Sequence, residues 1–411
     1  MLREAEATVE TTLRRSYGKL IAFLTARSGD VAGAEDALSD AFAAALVTWR
    51  TQGIPENPEA WLLTAARRKH IDTVRRQGTT KAAAAPLALL AEERSATDEP
   101  SIPDNRLALM FVCAHPAIDP AVRTPLMLQT ILGFDAATIA SAFLTSPAAM
   151  SQRLVRTKNK IRDAAIPFRI PDPPEWRERL AFVLDAIYAA YTTGWQSLPE
   201  TASTHHALAA EAIALGRLLV QLMPREAEAH GLLALMLHCQ ARRAARYTSD
   251  GKFVPLDQQD PAKWSGELMQ AAEEQLHLAA GFKSLGRFQL EAAIQSVHAS
   301  RAKTGRTEWR EIALLYAGLI QIAPSIGALV GRAVALAQTG DSAGGLAALD
   351  DIPAAHATNY QPYWAARGHL LGMLKREAEA RQSWERAAGL TDDPALREYL
   401  TRRAPGPVCM I

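Results

Sequence analysis

Apolar residues recur along this chain at helical rather than strand spacing. Leu13, Tyr17, Leu20 and Leu24 lie three or four positions apart, which places them on one helical face. Gly29-Asp30 breaks that stripe, and a second helix is expected over residues 32–49. A polar loop, Arg50-Thr-Gln-Gly-Ile-Pro-Glu-Asn57, follows, and Pro58 opens a third helix running to Arg76, proline being pre-set for a first helical position. Residues 77–103 are rich in Ala, Pro and Ser and read as a linker, disordered or partly helical. Residues 104–168 form another helical module, closed by Pro167, Pro171, Pro173 and Pro174.

From Trp176 the texture changes to longer alanine- and leucine-rich helical pairs. Near the C-terminus it repeats: Trp364, Gly368, Leu371, Ala380, Trp384 and Ala387 alternate large and small residues as a tetratricopeptide repeat does. Leu329, Ala333, Leu336, Gly340-Asp341, Gly345 and Leu349 repeat the pattern 35 residues earlier. Two such units are few for a solenoid, so upstream helices are expected to complete the stack.

Composition agrees. Of 411 residues 48% are hydrophobic, and β-branched runs are rare, so the expected fold is all-α. Two small helical domains (1–76 and 104–168) joined by a linker (77–103) precede a helical-repeat domain over 175–405. Cys113, Cys239 and Cys409 are far apart without CxxC spacing, which suggests neither a disulfide framework nor a zinc knuckle. Cys113/His115 and His238-Cys239 read as buried structural residues rather than metal ligands. No apolar run approaches the ~20 residues of a membrane span, and a cytoplasmic protein is expected.

Charge changes the picture more through its distribution than its sum. The net charge is +1, yet Arg67, Arg68, Lys69, Arg75, Arg76 and Lys81 stand against Asp72 alone between positions 67 and 81. Arg153, Arg156, Lys158, Lys160, Arg162 and Arg169 stand against Asp163 between 147 and 169. Such stripes are the footprint of nucleic-acid binding, although either alone also fits a solvated helix face. The second lies on an expected helix after Ser146-Pro147, with Met150, Leu154 and Ile161 as its apolar stripe. Arg153, Arg156 and Lys160 share another face, as in the recognition helix of a helix-turn-helix.

In this order, the motifs resemble bacterial extracytoplasmic-function sigma factors, alternative specificity subunits of RNA polymerase, of the subgroup with a C-terminal tetratricopeptide-like extension. The string 34–42, AEDALSDAF, with Trp49, is similar to the core-binding helix of sigma region two. Residues 57–62 with Ala65-Ala66-Arg67-Arg68, Asp72 and Arg75-Arg76 are similar to its promoter-melting helix. Leu107 to Pro116, with Cys-x-His-Pro, resembles the opening of region four, and residues 149–156, AMSQRLVR, its recognition helix. One departure is Thr192-Thr193-Gly194-Trp195, where relatives carry Asn-Glu-Gly-Tyr.

The resemblance implies core RNA polymerase and promoter DNA as partners, with no cofactor. Glu35, Asp36, Leu38, Asp40 and Phe42 would dock on the coiled coil of the polymerase's largest subunit, acids fixing register and apolar groups supplying energy. Gln52 and Asn57 would hold a base flipped from the −10 element, and Arg67, Arg68, Lys69, Arg75 and Arg76 the strand phosphates. Ser146, as N-cap, with Ala149, Ser151, Gln152, Arg153 and Arg156, would meet the −35 element. In the linker, Glu92, Glu93, Asp98 and Glu99 would imitate nucleic acid, or simply tether the two domains.

The extension would regulate, or dock a protein or peptide. No P-loop, GxSxG or HExxH is present, and a sigma factor is not itself an enzyme. Two rival readings remain: a helical-repeat scaffold that binds proteins, and a conventional helix-turn-helix regulator. The latter would leave the acidic and melting helices without a task.

Overall fold

The computed structural model describes residues 2–77, 104–143, 145–196 and 202–404, and the linker acids fall outside them. Among the described residues the fold is all-α, with one isolated β-bridge between Tyr247 and Phe253. The chain divides into two compact units, residues 1–197 with 201–215, and the remainder from Gly216 onward.

In the first unit, α1 (Leu2–Ser28), α2 (Val31–Gln52) and α3 (Pro58–Gln77) come first. Asp30 is extended and accepts the Gly33 N–H at 3.1 Å, capping α2. Leu38, Ala41, Phe42, Ala45 and Trp49 of α2 are buried, as are Leu20 to Leu24 of α1 and Leu62 and Ala66 of α3. Trp61, half-buried, meets Trp49 edge-on, with ring centroids 5.5 Å apart, and packs α3 on α2.

The same unit continues with α4 (Arg106–Cys113), α5 (Pro120–Leu132), α6 (Ala136–Ala142) and α7 (Pro147–Asp163). Helix α4 is buried almost all round because α1, α5 and α8 (Pro173–Gln196) surround it. Helices α1 and α5 approach closely at Gly18, where a Cβ would stand 2.0 Å from the Ile131 carbonyl oxygen.

The structure differs from expectation at one boundary. The prolines at 167–174 separate helices but not compact units, because α8 lies on α4 and α5 and the Arg123 guanidinium sits 4.5 Å from the Phe182 ring centroid. The division falls instead within α9 (Ala202–Leu222). At the departing tetrapeptide, the Thr192 and Thr193 hydroxyls both donate to the Ala189 carbonyl, at 3.0 and 2.9 Å. Trp195 stacks on Tyr191 at 6.0 Å.

The second unit is built from successive helix pairs: α10 (Ala227–Ala241) with α11 (Gly266–Gly281), then α12 (Arg287–Thr304) with α13 (Trp309–Ile322). Next come α14 (Ile326–Gln338) with α15 (Ser342–Asp350), the short α16 (Ala354–Ala357), α17 (Gln361–Met373) with α18 (Glu377–Gly389), and α19 (Pro394–Arg403). Both α17 and α18 begin 35 residues after their counterparts α14 and α15, the period read from the sequence. Alternating small and large residues allow this stacking: Ala333, Leu346, Leu349, Leu370, Leu371, Trp384 and Ala387 share one core.

Candidate nucleic-acid interface

Helix α7 begins where Ser146, extended at φ −79° and ψ 146°, accepts the Ala149 N–H at 3.3 Å. It packs against α6, itself capped by Asp135 accepting from Thr138 N–H at 2.7 Å, across a short connection. Met150, Leu154 and Ile161 anchor α7 in the core, while Ser151, Gln152, Arg153 and Arg156 are exposed and Ala149 half-buried. These exposed polar side chains are thus held on a rigid element.

Two lysines of the same helix are placed differently. Lys160 donates to the Ala117 carbonyl at 2.5 Å, so it braces the module. Lys158 is buried and forms an ion pair with Glu35 of α2. Burial raises the Glu35 carboxyl above the ordinary glutamate range, a shift that Lys158 opposes.

That pairing corrects one expectation for α2. Glu35 is taken up inside the unit, and Leu38 and Phe42 belong to the core, with exposures of 0% and 7%. Helix α2 presents to solvent Asp36, Asp40, Leu46 and Val47, the last 66% exposed. An apolar face and a core face have the same period, so sequence alone assigned the wrong one outward. The signal for Val47 was present in its spacing, one heptad after Asp40.

On the melting helix, Arg67 is also corrected. Its side chain is buried and its guanidinium lies 4.8 Å from the Phe23 ring centroid, so it packs the α1–α3 contact. Arg68 and Lys69 are exposed, and Lys69 stands 3.7 Å from Asp40, an exposed pair worth little by itself. The side chains of Arg75 and Arg76 fall outside the described residues. Gln52 is exposed at the end of α2, whereas Asn57 accepts the Ala60 N–H at 3.1 Å and so caps α3 with its carbonyl oxygen.

A further residue, not singled out from sequence, is Val155. It is 54% exposed on α7, four positions after Ser151 and three after Gln152, where an apolar side chain suits a thymine methyl. Cys113 is fully buried, its thiol pushed up to about 12 by desolvation, and His115 Nδ1 accepts the Ala117 N–H at 3.2 Å. Both are structural. Among the described residues no cluster of three or more His, Cys, Asp or Glu is arranged to hold a metal, and no helix is long and apolar enough to cross a membrane.

Residues 12–80, from α1 into the segment after α3, match the sigma-70 region 2 family. Residues 179–280 match a family of unknown function (DUF6596). No solved structure matches. An uncharacterized protein of Rhizobium meliloti is 35% identical over 374 residues, covering 89% of this chain and 88% of its own length. The chain belongs to the same family as that protein, and its N-terminal sigma-70 region 2 domain supports assignment as a sigma factor.

Proposed function

We propose that the chain is an alternative sigma factor of the extracytoplasmic-function type, which recruits core RNA polymerase and directs it to promoters with −10 and −35 elements. The observation that carries the reading is the coincidence of the sigma-70 region 2 match with an α2 face offering Asp36, Asp40, Leu46 and Val47 to a partner. Acids beside exposed apolar groups suit a basic, partly apolar helix, charge setting register and apolar burial supplying affinity. Gln52 and the bases Arg68, Lys69, Arg75 and Arg76 engage the opened strand at the −10 element. Ser151, Gln152, Arg153, Val155 and Arg156 read the −35 element from the major groove.

In this reading the second unit is a built-in regulatory module with tetratricopeptide-like helix pairs, and the polymerase supplies the chemistry. The test is run-off transcription on fragmented genomic DNA with core polymerase and the purified chain, mapping RNA 5′ ends. Discrete starts sharing a two-part upstream element support the reading. Absence of both starts and core binding sinks it, in favour of a protein-binding scaffold, which the helix pairs at a 35-residue period would also suit.

A further inference from the structure

The second unit holds a cavity of about 750 Å³, within the range of small-molecule sites, about 300–1,000 Å³. Part of its wall is the irregular segment between α10 and α11, which crosses the later helix pairs as a strap. Tyr247 Oη donates to Asp393 Oδ2 at 2.8 Å, and the Phe253 ring meets Tyr399 edge-on at 5.6 Å. From the other side, Arg301 of α12 donates to the carbonyls of Leu256 and Gln259 at 3.0 and 2.8 Å. An extended peptide needs an open groove along the pairs. A strap tied to both α12 and α19 interrupts such a groove and leaves a half-open chamber, which suits a compact occupant.

The chemistry of the walls narrows that occupant. Trp309, Trp384 and Tyr399 supply aromatic surface. His298 lies edge-on to Trp309 at 5.4 Å, and Gln338 donates its amide N–H to His369 Nε2 at 3.1 Å, leaving the ring proton on Nδ1. Burial lowers both imidazoles, His298 to about 3, so both are neutral near pH 7. Among the lining cations, Arg306 pairs with Glu308 at 2.6 Å. Arg301 is held by backbone carbonyls, and Arg403 lies 5.4 Å from the Tyr399 ring centroid with no carboxylate partner among the described residues. Asp257 is the one acid in the lining. Two guanidinium charges against one carboxylate leave room for a single negative charge in a largely apolar chamber.

We propose that this chamber binds a small monocarboxylate whose apolar or aromatic body lies among Trp309, Trp384 and Tyr399 and whose anion pairs with Arg403. The proposal stands apart from the transcription reading, and either can fail alone. The test titrates the full chain with 4-phenylbutyrate and, in parallel, with its uncharged amide, 4-phenylbutanamide, by calorimetry and tryptophan emission. The acid is expected to bind at least about tenfold more tightly than the amide. Arg403→Gln, at an exposed position in the last turn of α19, should bring the acid down to the amide's level while Arg306→Gln leaves it unchanged. Equal binding of acid and amide, binding of neither, or acid binding indifferent to Arg403→Gln would each overturn the assignment.

Discussion

Glu35 on α2 and Lys158 on α7 form an ion pair inside the first unit, their side chains only 15% and 7% exposed. The pair joins α2, which carries the proposed docking acids, to α7, which carries the proposed groove residues. Removing one partner leaves a buried charge unmatched, which costs about 3–5 kcal/mol. Lys158→Met should therefore lower the stability of the chain sharply in urea denaturation. Glu35→Gln combined with Lys158→Met should restore most of it. Additive losses in the double variant would show that the two side chains do not act as a pair.

Because Glu35 is engaged internally, the acidic charge that α2 offers to the proposed polymerase contact rests on Asp36 and Asp40. Asp36→Lys with Asp40→Lys should abolish binding to core polymerase in a pull-down with purified subunits. Val47→Asp, which introduces a charge into the exposed apolar part of the same face, should weaken it about tenfold or more. All three positions are exposed, so circular dichroism should remain unchanged. Loss of binding from Glu35→Gln but not from the Asp36/Asp40 variant would reverse the assignment.

On α7, Arg156 is exposed and Arg153 lies beside it, with neither held by an ion pair among the described residues. Arg156→Ala should cost about 1–3 kcal/mol of promoter discrimination if it pairs with a guanine. It should cost a similar amount on all sequences, with a shallower salt dependence, if it meets a phosphate. Holoenzyme titrations on matched and scrambled −35 sequences at two salt concentrations distinguish the two.

The second unit should lose stability in mild acid. His238 is buried and His298 half-buried, and desolvation lowers both to about 3, whereas a histidine in the unfolded chain titrates near 6.5. The unfolded state therefore takes up protons that the folded state refuses. Stability from these rings is complete above about pH 6.5 and is lost as pH falls from there toward 3, by about 1.4 kcal/mol per pH unit for each ring. Melting temperature followed between about pH 7 and pH 5 should fall, and His298→Gln should flatten the decline.

Gly368 on α17 faces the Trp384 indole of α18, and a Cβ there would stand 2.8 Å from the ring. Gly368→Ala should destabilise the second unit by about 1–3 kcal/mol through overpacking, read as a lower midpoint in thermal or denaturant unfolding. Gly372→Ala, with open space at the same helix's outer face, should be neutral or slightly stabilising and serves as the control.

Helix existence and order were determined by the sequence, because helical periodicity, caps and breakers act within a few residues of one another. Pro58 and Ser146 mark helix starts where they were expected, Asp30 caps α2 at the break read from Gly29-Asp30, and the stripe Met150, Leu154, Ile161 is the buried face of α7. The 35-residue period also survives, since each large–small alternation is satisfied by the adjacent pair.

Only the tertiary structure decided which face of α2 is the core face, because α1, α3 and α7 approach it from sides that no local pattern encodes. Hence Leu38 and Phe42 turn inward and Leu46 and Val47 outward. A charged residue looks solvated in any local reading, so the burial of Arg67 against Phe23 and of Lys158 against Glu35 was invisible until residues far apart in the chain came together. The chamber beneath the strap has the same origin: Phe253, His298, Trp309, His369 and Tyr399 lie on separate elements, and only the stacking of helix pairs brings them to face one space.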